Sequence, residues 1–219
     1  MHGFATQIIN FLAAILLLLS FAMLSQRRLL ALIHLYTLQG VMLVLANLVL
    51  ALATADTHLY VSAALTLVLK VALLPWILYK LVQRLNVKAD VEPLLNIPAT
   101  LLVGIVLVIV AFNVASPVSQ LATSVARGTL GIALACVLLS FMMMITRAKA
   151  IPQVIGFLSM ENALFFAATA ATNGMPMIVE LGIGLDVLVG LVILGVFMFQ
   201  IREQFDSLDI HHLEKLKDD

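Results

Sequence analysis

Seven runs of apolar residues alternate with short polar junctions along this chain, at residues 4–25, 29–54, 59–82, 97–115, 122–146, 151–173 and 178–201. Each run approaches or exceeds the roughly 20 residues that a helix needs to cross a bilayer. The pattern predicts an all-α, polytopic membrane protein with seven transmembrane helices. The longest polar interval, Val82 to Asn96, carries Arg84, Lys88, Asp90 and Glu92 and is followed by Pro98. It divides an N-terminal three-helix half, residues 1–95, from a C-terminal four-helix half, residues 96–202. Residues 203–219 return to a soluble composition and read as a tail.

Composition leaves little room for a globular domain: 63% of residues are apolar, 11% are charged, and the mean hydropathy is +1.14. A soluble domain would be nearer half apolar. The net charge is zero, so nothing favours nucleic acid or an acidic partner; the lipid bilayer is the solvent. The first run could imitate a signal peptide, but no Lys or Arg precedes it. Arg27 and Arg28 stand where a small-residue cleavage site would fall, so it is expected to be retained.

The basic residues have a side. Arg27, Arg28, Lys80, Arg84, Lys88, Arg147, Lys149, Arg202, Lys215 and Lys217 lie at or beyond alternate junctions, while Arg127 stands alone on the others. By the positive-inside rule the N-terminus is outside and the C-terminus cytoplasmic, which requires an odd number of spans. Sliding the chain by 120 residues sets Ser20 on Ser140, Phe21 on Phe141, Met23 on Met143 and Arg27 on Arg147. An offset of four spans keeps orientation, so this would be a parallel three-helix repeat. Chance matching of apolar letters is the alternative.

Three ionisable residues lie inside the runs: Lys70, Glu161 and Asp186. At 1.5 Å per residue each is roughly 12–17 Å from the start of its own helix, near mid-depth. A charge there costs about 2.5–3.5 kcal/mol on insertion scales, so such groups face protein or a wet cavity. Mid-depth carboxylates beside polar groups suit proton or sodium transfer, because burial raises a carboxyl pKa and a nearby lysine lowers it. Ser159 and Asn162 flank Glu161 and could carry a water chain. The rival reading is a structural ion pair of Lys70 with Glu161 or Asp186. One cation against two acids leaves a carboxyl to spare, which favours ion handling.

Weaker candidates surround these. Pro75 deprives the Val71 carbonyl of its helical donor, predicting a hinge beside Lys70, though transmembrane prolines are often harmless. His34 reads equally as a proton relay or as hydrogen-bonded structure. Glu180 suits the start of span seven as a helix cap, with a proton-exit role as the minority reading. Arg127 reads as snorkelling, and Met142, Met143 and Met144 as packing or lipid contact. The tail could touch a peripheral partner or simply fray in solvent.

Redox chemistry is not expected on this chain, and no cofactor or metal is assigned. Of His2, His34, His58, His211 and His212, only His34 lies within a span, so the facing pairs of a bis-His haem are missing. Cys136 is the single cysteine, too few for a disulfide or cluster site. Gly182-Ile183-Gly184 lacks the third glycine of a dinucleotide fingerprint.

The segments Met160-Glu161-Asn162 and Val179-Glu180-Leu181-Gly182-Ile183-Gly184-Leu185-Asp186 resemble the membrane component E family of hydrogenase-4 and formate hydrogenlyase-type complexes. Leu69-Lys70-Val71 followed by Pro75 resembles that family's third span, and Leu208-Asp209, Leu213 and Leu216-Lys217 resemble its tail. Spans five to seven are also similar to the K subunit of respiratory complex I and, more distantly, to the C subunit of multisubunit sodium/proton antiporters. Asp186 with Gly190 matches a K-subunit Glu and Gly, whereas the other K-subunit glutamate falls on Leu158, one turn from Glu161.

The resemblance implies a non-catalytic subunit of a hetero-oligomer in the inner membrane. It would link antiporter-like membrane subunits, with redox chemistry on a peripheral [NiFe] hydrogenase module. Glu161 and Asp186 would then exchange protons or sodium ions, and Lys70 would tune them. A scaffold subunit without transport, a subunit of a multisubunit Na⁺/H⁺ antiporter, and an independent secondary transporter are the rivals.

Overall fold

A computed structural model describes residues 2–54, 57–85, 96–121, 124–172 and 195 of the chain. Among them the fold is helical: α1 (His2–Ser25), α2 (Leu29–Thr54), α3 (Thr57–Thr66), α4 (Leu74–Leu85), α5 (Ile97–Leu121), α6 (Ser124–Thr146) and α7 (Ala150–Thr172). A π-helical segment, Leu67–Leu73, joins α3 to α4 without a break. Six helices are therefore long and apolar enough to cross a membrane: Gly3–Ser25, Leu29–Thr54, Thr57–Gln83, Ile97–Pro117, Gly128–Thr146 and Ala150–Ala171. Each coincides with one of the first six predicted runs. The predicted seventh span and the tail lie outside the described residues, except Gly195, which packs beside Leu81 of α4.

Helices in hydrocarbon gain nothing from hiding apolar surface from lipid, so close packing has to hold them together. Small residues provide it here. A Cβ at Gly156 of α7 would stand 2.9 Å from Met144 Cγ, and one at Gly131 of α6 would stand 2.8 Å from the Phe112 ring of α5. At Gly104 of α5 the neighbours are Phe21 and Leu139, at 3.0 and 3.1 Å. These contacts stack α6 between α5 and α7, and α6 also packs on α1.

Two buried clusters fill the bundle at its two ends. One gathers Met23 and Leu24 of α1, Leu32 and Tyr36 of α2, Leu74 and Leu78 of α4, Leu139 and Met143 of α6, and Ile155 and Leu158 of α7. The other gathers Leu12 and Leu16 of α1, Leu43 and Leu50 of α2, Leu59 of α3, Cys136 of α6, and Phe165 and Phe166 of α7. Both draw on helices from each side of the seam at 82–96. Met142 and Met143 are packing residues, as is Cys136. The α7 span is 61% buried and the α5 span only 17%, so among the described helices α7 is the most enclosed and α5 the most exposed.

The α6–α7 junction holds a surprise. Arg147, expected among the surface charges of one membrane face, is only 1% exposed. Its Nη2 donates to the carbonyls of Leu24 at 2.7 Å and Met23 at 3.3 Å, at the end of α1. They are among the last carbonyls of α1, of which Met23 also accepts from the Gln26 N–H at 3.3 Å, and a guanidinium at a helix C-terminus meets the negative end of its dipole. Gln153 Nε2 in turn donates to the Arg147 carbonyl at 2.7 Å, closing the turn into α7.

Candidate functional site

The distortion expected beside Pro75 takes the form of the π-helical segment. Proline has no N–H, so the Val71 carbonyl cannot receive its usual bond from position 75. One residue earlier, the Leu74 N–H reaches back five residues to the Leu69 carbonyl, which is π geometry. Lys70 sits in the middle of this widened turn, and its side chain is only 5% exposed. Helix α2 can approach because position 40 is glycine. A Cβ there would stand 3.1 Å from Val71 Cγ2 and 3.4 Å from the Lys70 carbonyl oxygen.

Lys70 Nζ donates to Glu161 Oε1 of α7 at 2.7 Å, and the Glu161 side chain is 10% exposed. The ammonium also lies 4.6 Å from the centroid of the Phe165 ring. Phe165 follows Glu161 by four residues, so one face of α7 supplies both a carboxylate and a π surface. Glu161 Oε2 has no partner, and neither does the buried hydroxyl of Tyr36 on α2. The site is thus a buried ion pair with one carboxylate oxygen unsatisfied. Such a pair is stable only while both charges are present; losing either leaves its partner uncompensated in a low-dielectric interior.

Ser159 and Asn162, expected to extend the Glu161 environment, face other neighbours. Successive residues of a helix point about 100° apart, so α7 carries two polar sites on different faces. Ser159 Oγ lies 2.9 Å from Ser140 Oγ of α6. Asn162 has no partner for either side-chain heteroatom. Nearby, Gln39 Nε2 of α2 donates to Ser20 Oγ of α1 at 3.1 Å. Asn47 Nδ2 makes a longer bond of 3.4 Å to Ser62 Oγ of α3.

Of the residues singled out in the sequence, the structure brings Lys70 and Glu161 together and sets Pro75 in the first turn of α4, just beyond the π segment. His34 is exposed, and its Nδ1 lies 2.8 Å from the carbonyl of Leu30 in its own helix. Asp186 and Glu180 lie outside the described residues. Sequence reasoning missed Phe165 and Gly40, and read Arg147 as a surface charge. Phe165 was open to detection by its four-residue spacing from Glu161; the others need tertiary contacts to be seen. Among the described residues, no group of three or more His, Cys, Asp or Glu could hold a metal ion.

These features define a multi-pass helical membrane protein with a lysine–glutamate pair buried inside its bundle. The chain belongs to the family of the Mycobacterium tuberculosis protein named "Uncharacterized protein Rv0085", with 32% identity over 212 residues covering 96% of each chain. No protein-family profile matches it, and no solved structure gives a significant match.

Proposed function

We propose that this chain is a non-catalytic membrane subunit of a hydrogenase-4 or formate hydrogenlyase-type complex, and that the Lys70–Glu161 pair takes part in moving protons or sodium ions through it. The observation that carries this reading is the pair itself: an acid and a base 2.7 Å apart inside a spanning bundle, with Glu161 Oε2 unpaired. A π turn beneath the lysine adds a backbone element of a kind found often at functional sites. The resemblance of the Glu161, Asp186 and Lys70 segments to component E supplies the machine. In it, antiporter-like subunits flank this one and a peripheral [NiFe] module does the redox chemistry. Asp186 is the second acid of the path, and Glu180 and His34 lie toward its two mouths. The N-terminus faces outward and the tail meets the cytoplasmic module.

The paired buried serines support reading α1–α2 and α6–α7 as two copies of one hairpin in parallel. The 120-residue offset that sets Ser20 on Ser140 also sets Gln39 on Ser159, and in both hairpins these two positions are joined by a hydrogen bond.

The scaffold reading has its own support, since Lys70 is closed in by Glu161 and Phe165 and the pair would fix helix packing without moving ions. A double substitution separates the two. Replacing both members of a buried pair with apolar side chains of similar volume is often neutral, whereas replacing one is not. The Lys70→Met/Glu161→Met variant is therefore expected to assemble. In sealed vesicles containing the whole complex, ion movement per electron should fall; an unchanged ratio would leave the pair as packing only. Purification of the tagged chain from its native membrane checks the machine. Co-purification of a hydrogenase large subunit supports it, and recovery with antiporter subunits alone shifts the assignment to a multisubunit Na⁺/H⁺ antiporter.

A further inference from the structure

Helices α1, α2, α6 and α7 enclose a small cavity on the side of α7 away from the ion pair. Ser20, Gln39, Ser159 and Asn162 line it together with Cys136 and Phe166. It has room for about one water molecule.

The amides on its wall are incompletely satisfied. Gln39 spends its Nε2 on Ser20, while its Oε1 has no partner; Asn162 has none for Oδ1 or Nδ2. Both residues are nearly inaccessible, at 2% and 1% exposed. Buried amides in native proteins are hydrogen-bonded with few exceptions, to protein or to an ordered water. The orphan set holds two acceptors and one donor. A water molecule donates twice and accepts, so it can answer all three, and reversing the Asn162 amide changes nothing. A bare cation answers only the oxygens and leaves the Asn162 N–H groups facing a positive charge. No charged side chain lines the cavity to hold it. An apolar guest answers none of them.

We propose that this cavity binds a single water molecule that bridges Gln39 of α2 to Asn162 of α7, and that the bridge is a positioning element for Glu161. Asn162 is the next residue to Glu161 on α7. Fixing the direction of one on its face fixes the rotation at which the other is presented to Lys70.

The test is a map of the full chain in lipid nanodiscs at a resolution that shows buried water. A peak should appear within hydrogen-bonding distance, about 2.7–3.2 Å, of both Gln39 and Asn162. It should persist in sodium-free buffer. An empty cavity, or a peak that vanishes without sodium, overturns the assignment. In Asn162→Leu the peak should be gone and the Lys70–Glu161 bond lengthened beyond its 2.7 Å. If that variant does not fold, Gln39→Met leaves α7 untouched and carries the same expectation. A pair distance unchanged after loss of the peak removes the positioning role.

Discussion

Gly40 faces the backbone of Lys70 so closely that a Cβ on it would stand 3.4 Å from the Lys70 carbonyl oxygen. The absence of a side chain on α2 is thus part of what lets the π segment carry its lysine inward. Two effects compete in Gly40→Ala. Helix propensity gains up to about 1 kcal/mol, while the new methyl crowds Val71 Cγ2 at 3.1 Å. Near neutrality is expected. Gly40→Leu has no such offset and should lose about 1–3 kcal/mol through overpacking. Thermal unfolding in nanodiscs reads both; equal melting temperatures for wild type and Gly40→Leu would mean that α2 does not need this approach.

The pair itself makes a sharper prediction about stability. Lys70→Met or Glu161→Met alone strands a charge and should cost about 3–5 kcal/mol, whereas the double substitution should return near wild type or above it. The sign of the coupling is the test. If the single losses simply add, the charges do not compensate one another and the 2.7 Å contact is not a working ion pair.

Why the spans could be read from the sequence and the pairings could not follows from the length scales involved. A span is a local property: about 20 apolar residues in succession mark it, so α1 through α7 lie where hydropathy alone puts them. Lys70 and Glu161 could each be recognised as costly in a bilayer, and the excess of acids left the partner open. Their meeting spans 91 residues of chain, and nothing local encodes it. Arg147 shows the opposite failure. Its place at a polar junction resembles that of Arg27 and Arg28, yet those two are exposed while Arg147 is buried. The difference lies in the end of α1, more than 120 residues away, whose carbonyls it reaches. The π segment falls between these cases. Pro75 announced a disturbed helix, while the close approach of α2 to it rests on Gly40 of another helix.

Arg147 should behave as a structural cap. Hydrogen bonds from a charged donor contribute about 1.5–3 kcal/mol, and the 2.7 Å bond to Leu24 has the geometry of a strong one. Arg147→Met is expected to destabilise the fold by that order. Arg147→Lys should recover only part of the loss: Nη2 alone makes both bonds, and an ammonium offers the same donors on a shorter side chain that reaches the two carbonyls less fully. Melting curves of the three proteins in one detergent give the comparison. A full rescue by lysine would show that a positive charge near the α1 terminus matters and the longer reach of the guanidinium does not.

The two buried hydrogen bonds between helix pairs give the last prediction, and it bears on the repeat. In a membrane such bonds are weak, with coupling averaging about 0.6 kcal/mol and reaching about 1.7, because the partners find substitutes when the helices separate. Ser140→Ala and Ser159→Ala should therefore each cost little, and their double-mutant cycle should return a coupling near that average. The Ser20–Gln39 cycle has an added burden. Ser20 Oγ also donates to the Leu16 carbonyl at 3.0 Å, so it is held in place while it accepts from Gln39. Removing it takes away the hydrogen-bond acceptor that Gln39 Nε2 uses. A larger coupling for Ser20–Gln39 than for Ser140–Ser159 is expected, both stabilising. If one cycle shows coupling and the other none, the two hairpins use these positions differently, and their common 19-residue spacing loses its weight as a sign of duplication.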